Sequence, residues 1–397
     1  MNSHAPSPLA GVTGQRILTP RGVEQASLRF QGGLIDDGAS APARGAPWFD
    51  AGGLLVLPGI VDLHGDAFER AIMPRPSVTF PYDSALFDVD RQLLANGITT
   101  EFHGVTLSWE GGLRGEAYAE RMFDALERMK PMMGARHYVH LRFETHHIGG
   151  VDLAQQWIRD GRVRFLALND HLPSMARRLG DERKLMQYAD RAQCDLDAFQ
   201  QRIRAAMSAA DSVADAMRDL ALCAQAAGLK VASHDDPDAA TRRYYHQLGC
   251  GVAEFPLTRE AACVARDLGN AVVFGAPNVV RGGSHTGAPG ATQMIQAGLC
   301  DVLTSDYYYP APLAAVMRLV QDGVLPLAQA WNLVSMNPAR AAGLKDRGAL
   351  APGLIADAIV VDDHLPGLPR VVAAIVGGEL RYATRVFGDD HSQRMAA

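Results

Sequence analysis

Cysteine is scarce in this chain, and what there is stays apart. Cys194, Cys223, Cys250, Cys263 and Cys300 are five in number and form no C-x-x-C pair. An odd, scattered set excludes a disulfide frame and a zinc ribbon, and suits a reducing cytoplasm, the expected location. A basic surplus is lacking as well. The formal net charge is −6, so there is no global positive field and nucleic acid is not an expected partner. An anionic substrate has to be met by local arginines. No apolar stretch reaches the roughly 18 residues of a membrane span, so no membrane is expected as a partner either. Residues 1–14 lack the basic-then-apolar layout of a secretory signal. Their Ser/Pro/Gly/Ala-rich composition reads as poorly ordered.

What is present is apolar bulk. At 397 residues and 48% hydrophobic content, the chain can bury one large core and a smaller one. Three regions follow: 1–57 and 346–397 as the two parts of a small β-sandwich domain, and 58–345 as a barrel. The first region carries short strand-like runs at Gln15–Leu18, Ser27–Phe30, Leu34–Asp36, Trp48–Asp50 and Leu54–Leu57. The last carries Ala356–Asp362, Val371–Val376 and Glu379–Ala383, with a frayed tail from 387.

Between them strand and helix alternate. The expected strands are Gly59–Leu63, Thr99–Gly104, Tyr138–Glu144, Val163–Asn169, Lys230–His234, Val252–Phe255, Ala271–Gly275 and Asp301–Ser305. Apolar spacing of the helical type marks Ser84–Asn96, Gly115–Lys130, Leu196–Ala227, Thr258–Leu268, Ala291–Ala297 and Ala311–Gln321. Residues 324–344 also read as helical, broken at Asn337-Pro338. This alternation implies parallel strands with crossovers, and eight units suggest an α/β fold of the (β/α)8 TIM-barrel type. An open doubly wound sheet is weakened by the lack of G-x-G-x-x-G after the first strand. The polar run Leu172–Asp195 interrupts the pattern. It is either a lid on the catalytic face or a solvated surface helix.

In such a barrel, chemistry belongs at the carboxyl ends of the strands. Those ends read His64/Asp66, His103, Glu144, His171, His234-Asp235-Asp236, Glu254, Asn278 and Asp306. One H-x-D is more often a core histidine beside a turn aspartate. Several ionisable groups on apolar strands are costly unless paired or bound to metal. The set His64, Asp66, Glu144, His171, His234 and Asp306 suits one or two divalent ions (zinc, manganese or iron) held by nitrogen and oxygen. A second constellation, Gly275 to Gly287, is glycine-dense and carries Asn278, Arg281, Ser284 and His285. Backbone N–H groups and a guanidinium there can cradle phosphoryl oxygens. Arg75 and Arg142 are further candidates, although Arg142 and Glu144 share a strand face and can simply pair.

The segments Leu57-Pro58-Gly59-Ile60-Val61-Asp62-Leu63-His64 and Gly353-x-x-Ala356-Asp357 resemble signatures of the amidohydrolase superfamily. Four more stretches, with Pro74-Arg75-Pro76, are similar to the α-D-ribose 1-methylphosphonate 5-triphosphate diphosphatase family of phosphonate breakdown. They are Ala232–Asp236, Ala253–Pro256, Gly275–His285 and Ser305–Pro310. The resemblance implies a metal-dependent hydrolase that releases pyrophosphate from a small phosphorylated substrate in the carbon–phosphorus lyase pathway. It implies His64 and Asp66 as first-strand ligands and Glu144 as a bridging carboxylate. His171 and His234 are the implied imidazole ligands, and Asp306 the final-strand aspartate and proton acceptor. Arg281, Ser284 and His285 match the segment assigned to phosphate recognition, with His285 also able to protonate the leaving group. Ser174–Arg178, Gly65 and Thr145-His146-His147 depart from the family pattern and touch the pocket wall. The alternative is a C–N hydrolase or deaminase on the same barrel. A homodimer is left open as the assembly.

Overall fold

The computed structural model describes residues 8–36, 46–75, 78–283, 287 and 289–384. Ser284 and His285 lie outside them, as do Pro76, residues 1–7 and the tail from 385. The chain opens with β1 (Gly11–Thr19), β2 (Gly22–Gln31), β3 (Leu34–Ile35), β4 (Trp48–Asp50) and β5 (Leu55–Pro58). Next come β6 (Ile60–Gly65), β7 (Ile98–Leu107), β8 (Arg136–Glu144), β9 (Phe165–Asn169) and β10 (Lys230–His234). After these run β11 (Val252–Glu254), β12 (Ala271–Gly275) and β13 (Val302–Thr304), and the chain closes with β14 (Ala358–Asp362), β15 (Arg370–Val376) and β16 (Glu379–Ala383).

Strands β6 to β13 pair in chain order, all in parallel. The ring is closed between the last strand and the first. Gly65 bridges Asp306, the Asp306 N–H donates to the His64 carbonyl at 3.0 Å, and the Asp66 N–H donates to the Asp306 carbonyl at 2.9 Å. This is the expected (β/α)8 barrel. Strand side chains alternate, so one parity faces inward. Phe102, Phe165, Ala167, Ala232, Val252, Val273 and Val302 form the interior cluster. Leu141, Phe143, Leu166, Leu168, Val231, Val272 and Leu303 join the outer cluster beneath the helices.

Both chain ends build one mixed sheet, in the order β16-β15-β14-β5-β1-β2-β3, with β4 also on β1. Val12, Ile17, Phe30, Val56, Val360 and Ile375 form its core. Two ion pairs bind its halves to one another and to the barrel: Arg16 with Asp363 at 2.7 Å, and Arg136 with Asp357 at 2.6 Å.

Several elements differ from expectation for local reasons. The run Leu196–Ala227 divides at Ala209 into helices Leu196–Ser208 and Ala210–Ala226. Pro338 does not break a helix; it sits in the first turn of Met336–Ala341, where its missing N–H costs no helical bond. Helices Val151–Arg159 and Ala239–Gln247 went unread. The glycine-dense stretch is in part a helix, Ala276–Arg281, with Pro277 in its first turn and Gly282 as a left-handed cap at φ 82°.

Strand β7 runs past Gly104 to Leu107, so His103 is not a strand end. It is fully buried, and its Nε2 meets His137 Nδ1 at 2.8 Å, while His137 Nε2 meets Asp90 Oδ1 at 3.0 Å. Burial, and then the neighbouring His137, hold the His103 pKa well below the usual imidazole value. Folded and unfolded forms are both neutral above about pH 6.5. Below that, only the unfolded chain takes up the proton, so stability is lost as pH falls. Replacing His103 with Gln is expected to flatten the decline in urea stability between pH 7 and pH 5, by at most about 1.4 kcal/mol per pH unit. Identical slopes for both proteins would refute this.

Candidate active site at the carboxyl ends of the barrel strands

Strand β8 carries Tyr138, His140, Arg142 and Glu144 at every second position, so all four share its inner face. His140 Nδ1 lies 3.1 Å from the Leu63 carbonyl, which can only accept, so the ring proton sits on Nδ1. Its Nε2 then presents a lone pair to Glu254 Oε2 at 3.5 Å, and neither atom has a hydrogen-bond partner. Burial pushes the His140 pKa down to about 3, so the ring is neutral. The other Glu254 oxygen meets His64 Nδ1 at 3.2 Å. His64, His140 and Glu254 thus form one compact, fully buried group.

A second group stands beside it: His171, His234 and Asp235. Asp235 Oδ2 lies 3.3 Å from His171 Nε2 and 3.2 Å from His234 Nδ1. Glu144 takes His171 Nδ1 at 2.5 Å and the His171 main-chain N–H at 3.2 Å. Against the pull of burial, the Glu144 carboxylate raises the His171 pKa to about 9. Arg142 joins the two groups. It approaches His234 Nε2 at 3.3 Å and Asp66 Oδ2 at 3.6 Å. The alternative reading of Arg142 as a plain partner of Glu144 does not hold: Glu144 pairs with His171 and Arg142 with Asp66. The His64 and His234 ring centroids are 5.4 Å apart.

Backbone geometry marks the same place. Asp235, Phe255 and Asp306, each one or two residues past a strand end, have φ of 59°, 51° and 55°. Such angles cost side-chain-bearing residues roughly 1–3 kcal/mol and persist where packing dictates them. At Phe255 the turn lays the ring against His64 and His234, with centroids 5.0 and 5.1 Å away. Burial, then the charge of Asp66, push the Asp306 carboxyl up to about 7. Gly275 leaves room for it, since a Cβ there would stand 3.2 Å from Asp306 Oδ2. Asn278 follows in the next helix, its Oδ1 buried and without a partner.

The six residues read as metal ligands all reach this end of the barrel. His64, His171 and His234 fall within the two compact groups, Glu144 touches His171, Asp66 faces Arg142, and Asp306 closes the ring. His140 was missed, although its i−2 and i−4 spacing to Arg142 and Glu144 was in plain view. Asp235 and Glu254 were read only as polar ends. At Gly65 a Cβ would stand 2.1 Å from Glu101 Oε1, so a side chain there would displace that buried carboxylate. Arg281 and Arg75 are both exposed and make none of the contacts above. Leu172–Asp195 is no bare solvated helix. Its helices Leu172–Ala176 and Glu182–Arg191 bury Leu172, Met175, Leu185 and Ala189 against Phe199 and Ile203. A separate cavity of about 600 Å³, lined by Arg70, Phe80, Asp88 and Tyr308 among others, contains none of the strand-end ligands.

The donor set fits a divalent cation. Lone pairs of His140 and Glu254 oppose each other unbridged, and Asp235 stands between His171 and His234. Only nitrogen and oxygen donors converge, which suits zinc, manganese or iron.

Comparison with known proteins agrees with this fold. Residues 55–389 match the family described as the amidohydrolase family. The α-D-ribose 1-methylphosphonate 5-triphosphate diphosphatase of Escherichia coli (strain K12) is 36% identical over 355 residues, covering 86% of this chain and 93% of that protein. Adenine deaminase 1 of Carboxydothermus hydrogenoformans is 38% identical over only 65 residues, 16% of this chain and 10% of that protein. Among solved structures, the N-isopropylammelide isopropylaminohydrolase of Burkholderia multivorans shares the fold, with TM-score 0.61 and 16% identity over 94% of this chain and 98% of that one.

Asp236, beside Asp235, turns away from the site. It pairs with the fully buried Arg242 at 3.0 Å, and Ser233 Oγ donates to it at 2.7 Å. Arg242 also donates to the Cys250 carbonyl at 2.7 Å. Replacing Asp236 with Ala leaves a buried cation unpaired and is expected to cost roughly 3–5 kcal/mol in urea unfolding, whereas Asp236→Leu with Arg242→Met restores most of it. A single-variant loss under about 1 kcal/mol would show that the pair is not structural.

Proposed function

The chain belongs to the amidohydrolase family, and from that premise we propose that it hydrolyses a phosphoric anhydride, the 5-triphosphate of α-D-ribose 1-methylphosphonate, to a 5-phosphate and pyrophosphate. The observation that carries this reading is Arg142, a guanidinium set inside the histidine–carboxylate centre. A neutral amide has no use for a buried cation there; a polyphosphate has. The likeness to the Escherichia coli diphosphatase supports the same choice.

His64, Asp66, Glu144, His171, His234 and Asp306 would hold one or two divalent ions, with His140, Asp235 and Glu254 beside them. A divalent ion bound there supplies a water that ionises near neutral pH and positive charge for phosphoryl oxygens. The rest is done by this chain. Asp306, half-buried with a carboxyl raised to about 7, accepts the proton of the attacking water and aims its oxygen. That oxygen bonds to the α-phosphorus as the bond from this phosphorus to the bridging oxygen breaks, and pyrophosphate leaves with that oxygen. Arg142 holds negative charge on the transferring group. Phe255, pressed on His64 and His234, keeps bulk water from the imidazole faces. Asn278 and Arg281, with Ser284, His285 and Arg75, are assigned to substrate binding from the sequence, His285 also to leaving-group protonation.

The test is ³¹P NMR of the metal-loaded protein with the ribosyl triphosphate. Pyrophosphate is the expected product, and Asp306→Asn is expected to lower turnover at least 10²-fold while metal content, read by elemental analysis, stays near one equivalent per site. Amine or ammonia from amide substrates, with triphosphate left intact, would move the assignment to C–N hydrolysis.

A further inference from the structure

The carboxylates gathered at the strand ends do not all stand alike toward an ion. Among the described residues, two compact groups each bring their ligand atoms within 4.8 Å of one another, and Glu144 belongs to neither. Its place in the sheet explains why. Glu144 ends β8, abreast of Asn169 on β9, two residues before His171. Both of its oxygens are engaged by that histidine. Oε1 lies 2.5 Å from His171 Nδ1, and Oε2 accepts the His171 main-chain N–H at 3.2 Å.

These contacts fix which nitrogen of His171 is left over. An ionised carboxylate can only accept, so Nδ1 carries a proton. Nε2, on the other edge of the ring, is the nitrogen available to an ion. It faces Asp235 Oδ2 at 3.3 Å. The same oxygen lies 3.2 Å from His234 Nδ1, which is buried and has no hydrogen-bond partner. Asp235 is carried to this place by its left-handed turn at φ 59°, held by its N–H on the Glu254 carbonyl at 2.9 Å. The Asp235 side chain is 31% exposed and can meet an ion from solvent, whereas Glu144 is 1% exposed and enclosed.

We propose that Glu144 is a positioning residue and Asp235 a ligand. Glu144 orients His171 through Nδ1 and acts on the ion at one remove, while His171 Nε2, His234 Nδ1 and Asp235 Oδ2 are the atoms that touch it. This rests on the metal-dependent reading above and sorts its donors into those that contact the ion and those that aim them. A carboxylate on the far nitrogen of a ligating histidine fixes the tautomer and the ring orientation, and raises the basicity of the ligating nitrogen. The sequence suggests the reverse, with Glu144 bridging and Asp235 only a polar strand end.

Titration of the metal-free protein with cobalt(II), read by its visible spectrum and by elemental analysis, separates the two roles without turnover. Glu144→Gln keeps an oxygen that accepts from Nδ1. It is expected to bind as many equivalents as wild type, with affinity roughly 10- to 100-fold weaker. Glu144→Ala should weaken binding further, so that Gln recovers part of the loss. Asp235→Ala is expected to lose one equivalent and to change the cobalt bands. In zinc-loaded wild type, proton–nitrogen NMR should show the His171 proton on Nδ1 and the ion on Nε2. That spectrum needs no variant, so it decides the matter even where Glu144→Gln fails to fold. Loss of a full equivalent in Glu144→Gln, wild-type stoichiometry in Asp235→Ala, or a His171 proton on Nε2 in the loaded protein overturns the proposal. Failure of wild type to take up cobalt overturns it too. The phosphorus assay is independent. Pyrophosphate release by wild type beside any of those contrary results keeps the diphosphatase reading and sinks this assignment, whereas the expected metal results without pyrophosphate do the reverse.

Discussion

The structure depends on keeping ionisable side chains paired where strands leave the barrel. Desolvating a carboxylate or an imidazolium is expensive unless a partner offsets it. Here partners come from distant strands. Glu254 is met by His64 and His140, Glu144 by His171, and Asp66 by Arg142. The closure of the ring uses the same residues. The main-chain bonds from Asp306 to His64 and from Asp66 to Asp306 are what join the last strand to the first. Forming the barrel and assembling the site are therefore one event, and a change that loosens either loosens both.

That coupling explains where the backbone is held in costly shapes. Left-handed angles at Asp235, Phe255 and Asp306 follow three different strands and face one crevice. At Asp235 and Phe255 the turn brings inward a side chain that the pleat would have sent outward. Gly65 and Gly112 serve the opposite need, since each gives a neighbour room that a side chain would take: the Glu101 carboxylate in one case, the backbone of Arg191 and Ala192 in the other. Rigid strands set the first ring of polar groups, Arg142 of β8 among them, and the turns just past them add Asp235, Phe255 and Asp306.

Much of this was legible in the chain. Short apolar runs ending on His, Asp or Glu marked the barrel strands; Lys230–His234 and Ala271–Gly275 were read to the residue. His140 was missed because the inward parity was followed upward from Arg142 to Glu144 but not downward. The helix Ala276–Arg281 was missed because glycine density outweighed Pro277 and Gly282, which are start and stop signals in their own right. Asp235 and Asp236 could not be told apart in advance. Beyond a strand end the period of two no longer applies, and a left-handed turn decides which one faces the site.

By itself, the sequence determined the barrel, the small domain built from both ends, and the end of the barrel that carries the chemistry. Those follow from local patterns: apolar alternation, caps and turns. Only the tertiary structure decided the partners. His64 and Glu254 lie 190 positions apart, and Arg16 and Asp363 lie 347 apart. Such pairings are set by ring closure and by the cost of leaving a buried charge alone, and no local pattern encodes either.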